Sequence, residues 1–219
     1  VSGGWLVQVE VWFDVVCPWC YIGKRRLERA LERFGHAEGV RVLWRGFQLD
    51  PAFPQGRSQP VYDALARKMG ATREQVRAMT EQVMRVAAQE GLEYDFANGV
   101  MINTFDVHRV LRLAGERGLG GRAHEAFLRA QLVEARDLSR AEAVVEVAVG
   151  AGLEAGQVRA VLEGDGYAQD VREDMATAQQ LGVSGVPFFV LDRSFGLSGA
   201  QPVEVLVSAL EKAHQGARG

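Results

Sequence analysis

Two cysteines, Cys17 and Cys20, are the only thiols in a chain of 219 residues, and they stand two residues apart in Cys17-Pro18-Trp19-Cys20. At a helix start, the first sulfur of such a pair meets the unpaired N–H groups and positive end of the helix dipole. A thiolate is stabilised there, and the thiolate is the form that attacks a disulfide sulfur. Cys17 is therefore the expected nucleophile, exposed at the helix start. Cys20, one turn inward, is the expected resolving thiol. Pro18 suits a first helical turn, where its missing N–H would have no partner anyway. Trp19 is expected to be an exposed aromatic that packs against substrate beside the sulfur.

Three other uses of the pair fit less well. A structural disulfide would close too short a loop to restrict the unfolded chain much. A zinc site needs two further ligands, and His36, His108, His124 and His214 show none of the usual paired spacings, so no metal site is expected. Two inert thiols would rarely fall at a strand–helix junction.

Val186-Pro187 is a second candidate feature. A proline opening a strand beside the dithiol would present the Val186 backbone to a substrate chain that pairs with it like an added strand. The dipeptide alone leaves cis and trans open, trans being the commoner. Glu10 and Asp14, near the end of the first strand, are candidates for proton transfer to Cys20 or plain strand-end carboxylates. Asn103 with Asp106 fits a helix N-cap and its third-position acid. Gly118-Leu119-Gly120-Gly121 has no strand before it and no Gly-Lys-Ser/Thr after it, so it reads as a helix-ending turn.

The elements that must position these groups follow from periodicity. Val7–Asp14 alternates and then turns fully apolar, as in a buried central strand. A helical pattern runs from Tyr21 to Phe34, and Val40–Phe47 reads as a strand, giving a βαβ unit with the dithiol at its first strand–helix junction. Asp50–Pro60 is a proline-rich loop. A helical region extends to about Gly164, with capping-box spacing at Thr72/Gln75 and Ser139/Glu142 and its Met residues read as core filler. A helix over Val171–Leu181, strands at Val186–Leu191 and Phe195–Ser198 and a final helix over Pro202–Ala213 complete the chain. The order is that of an interrupted α/β unit, both ends of the chain contributing to one sheet.

Composition bounds the rest. With 47% hydrophobic and 24% charged residues the chain is ordinary for a globular protein. A net charge of -3 creates no field for nucleic acid or an anionic membrane, and the run Lys24-Arg25-Arg26 with Glu28 and Glu32 reads as a solvated helix face. No run is long enough to span a bilayer, and Val1–Leu6 lacks the features of a secretory signal. A cytoplasmic protein is expected, with no nucleic-acid or membrane partner. The sequence does not specify an oligomeric state.

The segment Asp14-Val15-Val16-Cys17-Pro18-Trp19-Cys20-Tyr21-Ile22-Gly23-Lys24 resembles the active-site segment of DsbA-family thioredoxin-fold oxidoreductases of the FrnE type. Gly185-Val186-Pro187-Phe188-Phe189 is similar to that family's cis-proline segment. Trp44–Pro51, Asn103–Arg109 and Ser198–Gln201 also look like family segments, so the likeness spans nearly the whole chain. It implies an α/β, thioredoxin-like fold with a large all-helical insertion: residues 5–50 and 165–214 form the thioredoxin-like domain, and 51–164 lie over the dithiol. It implies that Val186-Pro187 is cis and that Asn103, Phe105 and His108 face the cleft. Cys17 and Cys20 are then catalytic, and Pro18, Trp19, Val186, Pro187, Asn103 and Gln201 are the candidate substrate-binding residues.

The expected function is thiol–disulfide exchange through a mixed disulfide, as reductase, isomerase or dithiol oxidase, on a disulfide-containing protein or a small thiol. No cofactor is expected, with glutathione the candidate co-substrate. The alternative is a glutathione-dependent isomerase or transferase acting on a small aromatic metabolite. Relatives of that branch place serine where this chain has Cys17 and often an acid where it has Gln201, which argues against it. A non-catalytic binding module is the third reading.

Overall fold

The computed structural model describes residues 7–216, so Val1–Leu6 and the start of the first domain at residue 5 lie outside the described residues. Strand β1 (Val7–Phe13) is the hinge of the architecture, because its alternating side chains serve two layers. Val7, Val9 and Val11 pack with Leu27 and Ala30 of helix α1 (Pro18–Arg33), with Phe34 at its C-cap and with the apolar face of the C-terminal helix. Trp12 points the other way, onto Ala178, Val183 and Val190, and its Nε1 donates to the Asp174 carbonyl at 3.0 Å.

After a 3-10 turn at Ala37–Gly39, β2 (Val40–Gly46) lies parallel to β1, Val7 opposite Val40 and Phe13 opposite Gly46. Next come β3 (Ser58–Pro60), α2 (Val61–Met69), α3 (Arg73–Gln89), β4 (Val100–Ile102), α4 (Phe105–Glu116), α5 (Gly120–Leu132), α6 (Ala141–Gly150) and α7 (Ala155–Glu163). The chain closes with α8 (Ala168–Gln180), β5 (Phe188–Leu191), β6 (Phe195–Ser198) and α9 (Val203–Gly216). The main sheet has the order β2-β1-β5-β6, with β5 antiparallel to both β1 and β6. This is the thioredoxin-like arrangement, with β1 central and the helical insertion between β2 and α8.

The insertion is helical apart from one ladder, β3 against β4, with Ser58 opposite Ile102. Three residues per strand are too few for a period-2 pattern to show in the sequence. The capping box at Thr72 and Gln75 is formed. That at Ser139 is not: α6 starts one residue later, with Arg140 at its N-cap, and the Ser139 hydroxyl is drawn to Asp137 at 2.6 Å. Strand β5 begins at Phe188 rather than Val186, since Pro187 has no N–H to give the ladder.

The core of the insertion continues into the first strand–helix junction. Cys17, Cys20, Tyr21 and Ile22 belong to the same apolar cluster as Val76, Phe96, Val110, Phe127 and Leu128. Each large side chain buried there contributes about 1.5–3 kcal/mol. The run Lys24-Arg25-Arg26 is likewise no solvated face. Lys24 is buried and donates to Glu125 of α5 at 2.6 Å, and Arg26 donates to Glu90 at 2.7 Å. The sequence shows only the intrahelical partner Glu28; the carboxylates from α5 and the end of α3 arrive by topology. His124 stacks on Trp44 with ring centroids 4.7 Å apart. Burial pushes its pKa down to about 3, so the ring is neutral at ordinary pH.

Candidate active site

Cys17 is the N-cap of α1, in an extended conformation with φ −90° and ψ 111°, and Pro18 occupies the first helical turn. The Cys17 N–H donates to the Asp14 carbonyl at 3.1 Å and the Cys20 N–H to the Cys17 carbonyl at 3.0 Å. The turn thus places one sulfur at the helix entrance and the other inside. Both thiols are free. Cys17 is less exposed than expected, at 4%, because the Val186 carbonyl sits against it: the Cys17 thiol donates to that oxygen at 3.4 Å. Cys20 is buried, and its sulfur accepts the Asp14 N–H at 3.5 Å. Burial, and then the neighbouring Cys17, push the Cys20 thiol well above its usual range.

The Val186–Pro187 peptide bond is cis. The Pro187 carbonyl accepts from the Gly199 N–H at 2.8 Å, which ties the segment to the end of β6. Gly23 is what lets α1 approach it, since a Cβ there would lie 2.9 Å from the Pro187 ring. Trp19 projects outward at 38% exposure. Val186, Cys17, Pro18 and Trp19 therefore meet at one surface.

Asp14 and His108 form a buried pair behind the dithiol, both 1% exposed. One carboxylate oxygen of Asp14 accepts the Leu49 N–H at 2.8 Å, and the other lies 3.2 Å from His108 Nε2. The Phe47 carbonyl is 3.0 Å from the same nitrogen. Because that carbonyl can only accept, Nε2 carries the hydrogen. Gly46 makes room for the ring: a Cβ there would meet it at 3.3 Å. Glu10, the other proton-transfer candidate, is occupied elsewhere. Burial would raise its pKa, but hydrogen bonds from Arg193 and Arg45 outweigh burial and hold it below the usual carboxylate value.

Three further sequence candidates are engaged within the fold. Asn103 commits its side-chain oxygen to Gln48 Nε2 and the Phe105 N–H, both at 3.0 Å, and its amide N–H to the Phe53 carbonyl at 2.6 Å. It pins the 48–53 loop and starts α4. Phe105 lies under the Arg172 guanidinium, 5.5 Å from its ring centroid. Gln201 folds back, donating its amide to the Ser198 carbonyl at 2.6 Å.

Tyr94 was not legible as a site residue. Its hydroxyl donates to the Pro18 carbonyl at 2.6 Å, and burial followed by the nearby Cys17 and Cys20 thiols drives its pKa up. Its loop carries no motif, so only the fold reveals the contact. Beside Pro18 and Trp19 opens an apolar cavity of about 550 Å³, walled by α2, α3 and β4. Met69 and Met79 are exposed and line it, rather than filling the core. No group of three or more His, Cys, Asp or Glu able to hold a metal occurs among the described residues.

A family model described as DSBA-like thioredoxin domain matches residues 8–211. The chain belongs to this family. Among its DSBA-like relatives, the probable DsbA oxidoreductase SCO1869 from Streptomyces coelicolor is 47% identical, with a TM-score of 0.90 over 94% of this chain and 89% of that one. The uncharacterized Bacillus subtilis (strain 168) protein YwbO is 24% identical over 210 residues, 94% of this chain and 98% of its own. The cytosolic disulfide reductase DsbM from Pseudomonas aeruginosa, in a structure with GSH, shares the fold at 19% identity. Its TM-score is 0.66, over 95% of this chain and 99% of DsbM. The DSBA-like fold thus runs through sheet and insertion alike. No described helix is long and apolar enough to cross a membrane.

Proposed function

We propose that the chain is a thiol–disulfide oxidoreductase whose dithiol is Cys17 and Cys20. The observation that carries this is the position of Cys17: at the entrance of α1, against the Val186 carbonyl, with Cys20 one turn behind. Cys17, as thiolate, attacks one sulfur of a substrate disulfide, and the other substrate sulfur leaves with the electron pair and takes up a proton. The substrate is now joined to Cys17, and its backbone pairs along Val186 beside Pro187, with Pro18 and Trp19 packing against it. Cys20 then loses its proton and attacks Cys17 sulfur. The second substrate thiol leaves, and the protein holds a Cys17–Cys20 disulfide. Two electrons have passed to the substrate; run in reverse, the sequence oxidises a dithiol.

The raised pKa of Cys20 makes its deprotonation the demanding step. The acceptor we assign is Asp14, whose backbone N–H bonds that sulfur while its carboxylate oxygens meet the Leu49 N–H and His108 Nε2. We retain the division into residues 5–50 with 165–214 and an insertion at 51–164. A cytoplasmic setting, as for DsbM, would run the exchange toward reduction or isomerisation, with glutathione, held in that DsbM structure, as the candidate source of electrons. A glutathione-dependent isomerase is less well supported, since Asn103 and Gln201 spend their amides within the fold. Insulin reduction with a thiol donor tests the proposal. Wild type should turn over and Cys17→Ser should not; undiminished turnover in Cys17→Ser would end it.

A further inference from the structure

Tyr94 brings a hydrogen-bond donor from the insertion to the dithiol turn. Its loop is pinned where the Asp95 N–H donates to the Leu132 carbonyl at 2.9 Å. Its ring is held by Tyr21, stacked with centroids 6.4 Å apart, and by Phe96, edge-on at 5.6 Å. Tyr94 is buried, and its hydroxyl donates to the Pro18 carbonyl at 2.6 Å. Burial, and then the nearby Cys17 and Cys20, push the phenol up, so it keeps its proton and remains a donor.

The Pro18 carbonyl shares its peptide unit with the Trp19 N–H, and that N–H is singled out by elimination. Pro18 has no N–H. The Cys17 N–H goes to the Asp14 carbonyl and the Cys20 N–H to the Cys17 carbonyl. Among the described residues no acceptor meets the Trp19 N–H. In the thiol form Cys17 gives its hydrogen to the Val186 carbonyl and makes no capping bond. Once ionised it has no hydrogen to give, and its sulfur becomes an acceptor. An N-cap side chain accepts from the N–H two or three residues on, here Trp19 or Cys20, and the second of these is taken. The charges on Lys24 and Arg25 are already met by Glu28 and Glu125. An amide whose oxygen accepts a hydrogen bond is a stronger donor at its nitrogen, each link strengthening the next by about 10–30%.

We propose that Tyr94 is a positioning residue for the exchange: its hydroxyl fixes and polarises the Pro18–Trp19 peptide, and the Trp19 N–H of that peptide steadies the Cys17 thiolate. The proposal rests on the thiol–disulfide reading above and adds what the insertion contributes to it. A hydrogen-bond chain runs from the Tyr94 O–H through one peptide to the sulfur, and it acts together with the end of the helix.

The test is the rate of Cys17 alkylation by iodoacetamide against pH, in a Cys20→Ser background where Cys17 is the sole thiol. Tyr94→Phe removes the donor and keeps the ring. The half-maximal pH should rise by about half a pH unit, a roughly threefold loss of thiolate. In the intact dithiol, the equilibrium with glutathione should shift about threefold toward the protein disulfide, at a pH above both midpoints, because the thiolate belongs to the reduced form. A lost packing contact alone would lower stability and move neither reading. Should Tyr94→Phe not fold, 3-fluorotyrosine at position 94, a stronger donor of nearly the same shape, should move the midpoint down. An unmoved midpoint in Tyr94→Phe, or one that does not fall with fluorotyrosine, would overturn the proposal. Insulin turnover by the wild-type dithiol is read separately, so either claim can fail without the other.

Discussion

Asp14 is the residue through which the two halves of the exchange differ. The first attack is made by Cys17 at the helix entrance and does not need the carboxylate. The second needs a proton taken from a thiol that burial holds in its neutral form. Replacing the carboxylate by an amide removes the acceptor but keeps the backbone N–H on Cys20 sulfur. Asp14→Asn should therefore leave mixed-disulfide formation within a few-fold of wild type. It should slow its resolution by about 10²-fold, the low end of what a positioned acid or base contributes. Rapid-quench separation of the two steps by mass reads this; equal rates in the second step would remove Asp14 from the mechanism. At this scale the sequence was informative where chemistry is local. Cys17 and Cys20 declare themselves by spacing, and Val186-Pro187 by its place before a strand. Tyr94 does not, because its partner Pro18 is 76 residues away, and His108 comes forward only through the family resemblance, its partner Asp14 being 94 residues away.

Between elements, the contact of α1 with α5 is set by Glu125, whose carboxylate receives Tyr21, Lys24 and Arg25. Burial alone would raise its pKa, but these donors lower it from the usual 4.5 to about 2. A carboxylate depressed in the fold adds stability that is complete above 4.5 and is lost as pH falls toward 2. Glu125→Gln should thus cost about 1–2 kcal/mol at pH 7, with the gap closing between pH 4.5 and 2. Urea melts across that range check it; a gap independent of pH would show that the ion cluster does not hold α1 on the insertion. Helices α1 and α3 were readable from their periodicity and caps. The covering of the Lys24 face was not, because a charged helix face looks the same whether water or a neighbouring carboxylate meets it.

Taken whole, the molecule joins sheet and insertion through one apolar cluster that includes both cysteines. Two independent domains would give separable unfolding; a shared core gives one transition. Near-UV signals from the Trp12 and Trp44 side chains in the sheet and far-UV signals dominated by the insertion helices should therefore melt together within about 2 °C. Separate transitions would mean that the insertion folds on its own. The order of elements predicted the interrupted α/β plan, while the union of the cores depended on contacts that no periodicity encodes. For the account as a whole, the decisive measurement is the intact mass of Cys20→Ser after exposure to a disulfide substrate. The exchange through Cys17 predicts a stable substrate adduct mapped to Cys17 and its absence from Cys17→Ser. An unmodified Cys20→Ser protein, or an equal adduct on Cys17→Ser, would contradict it.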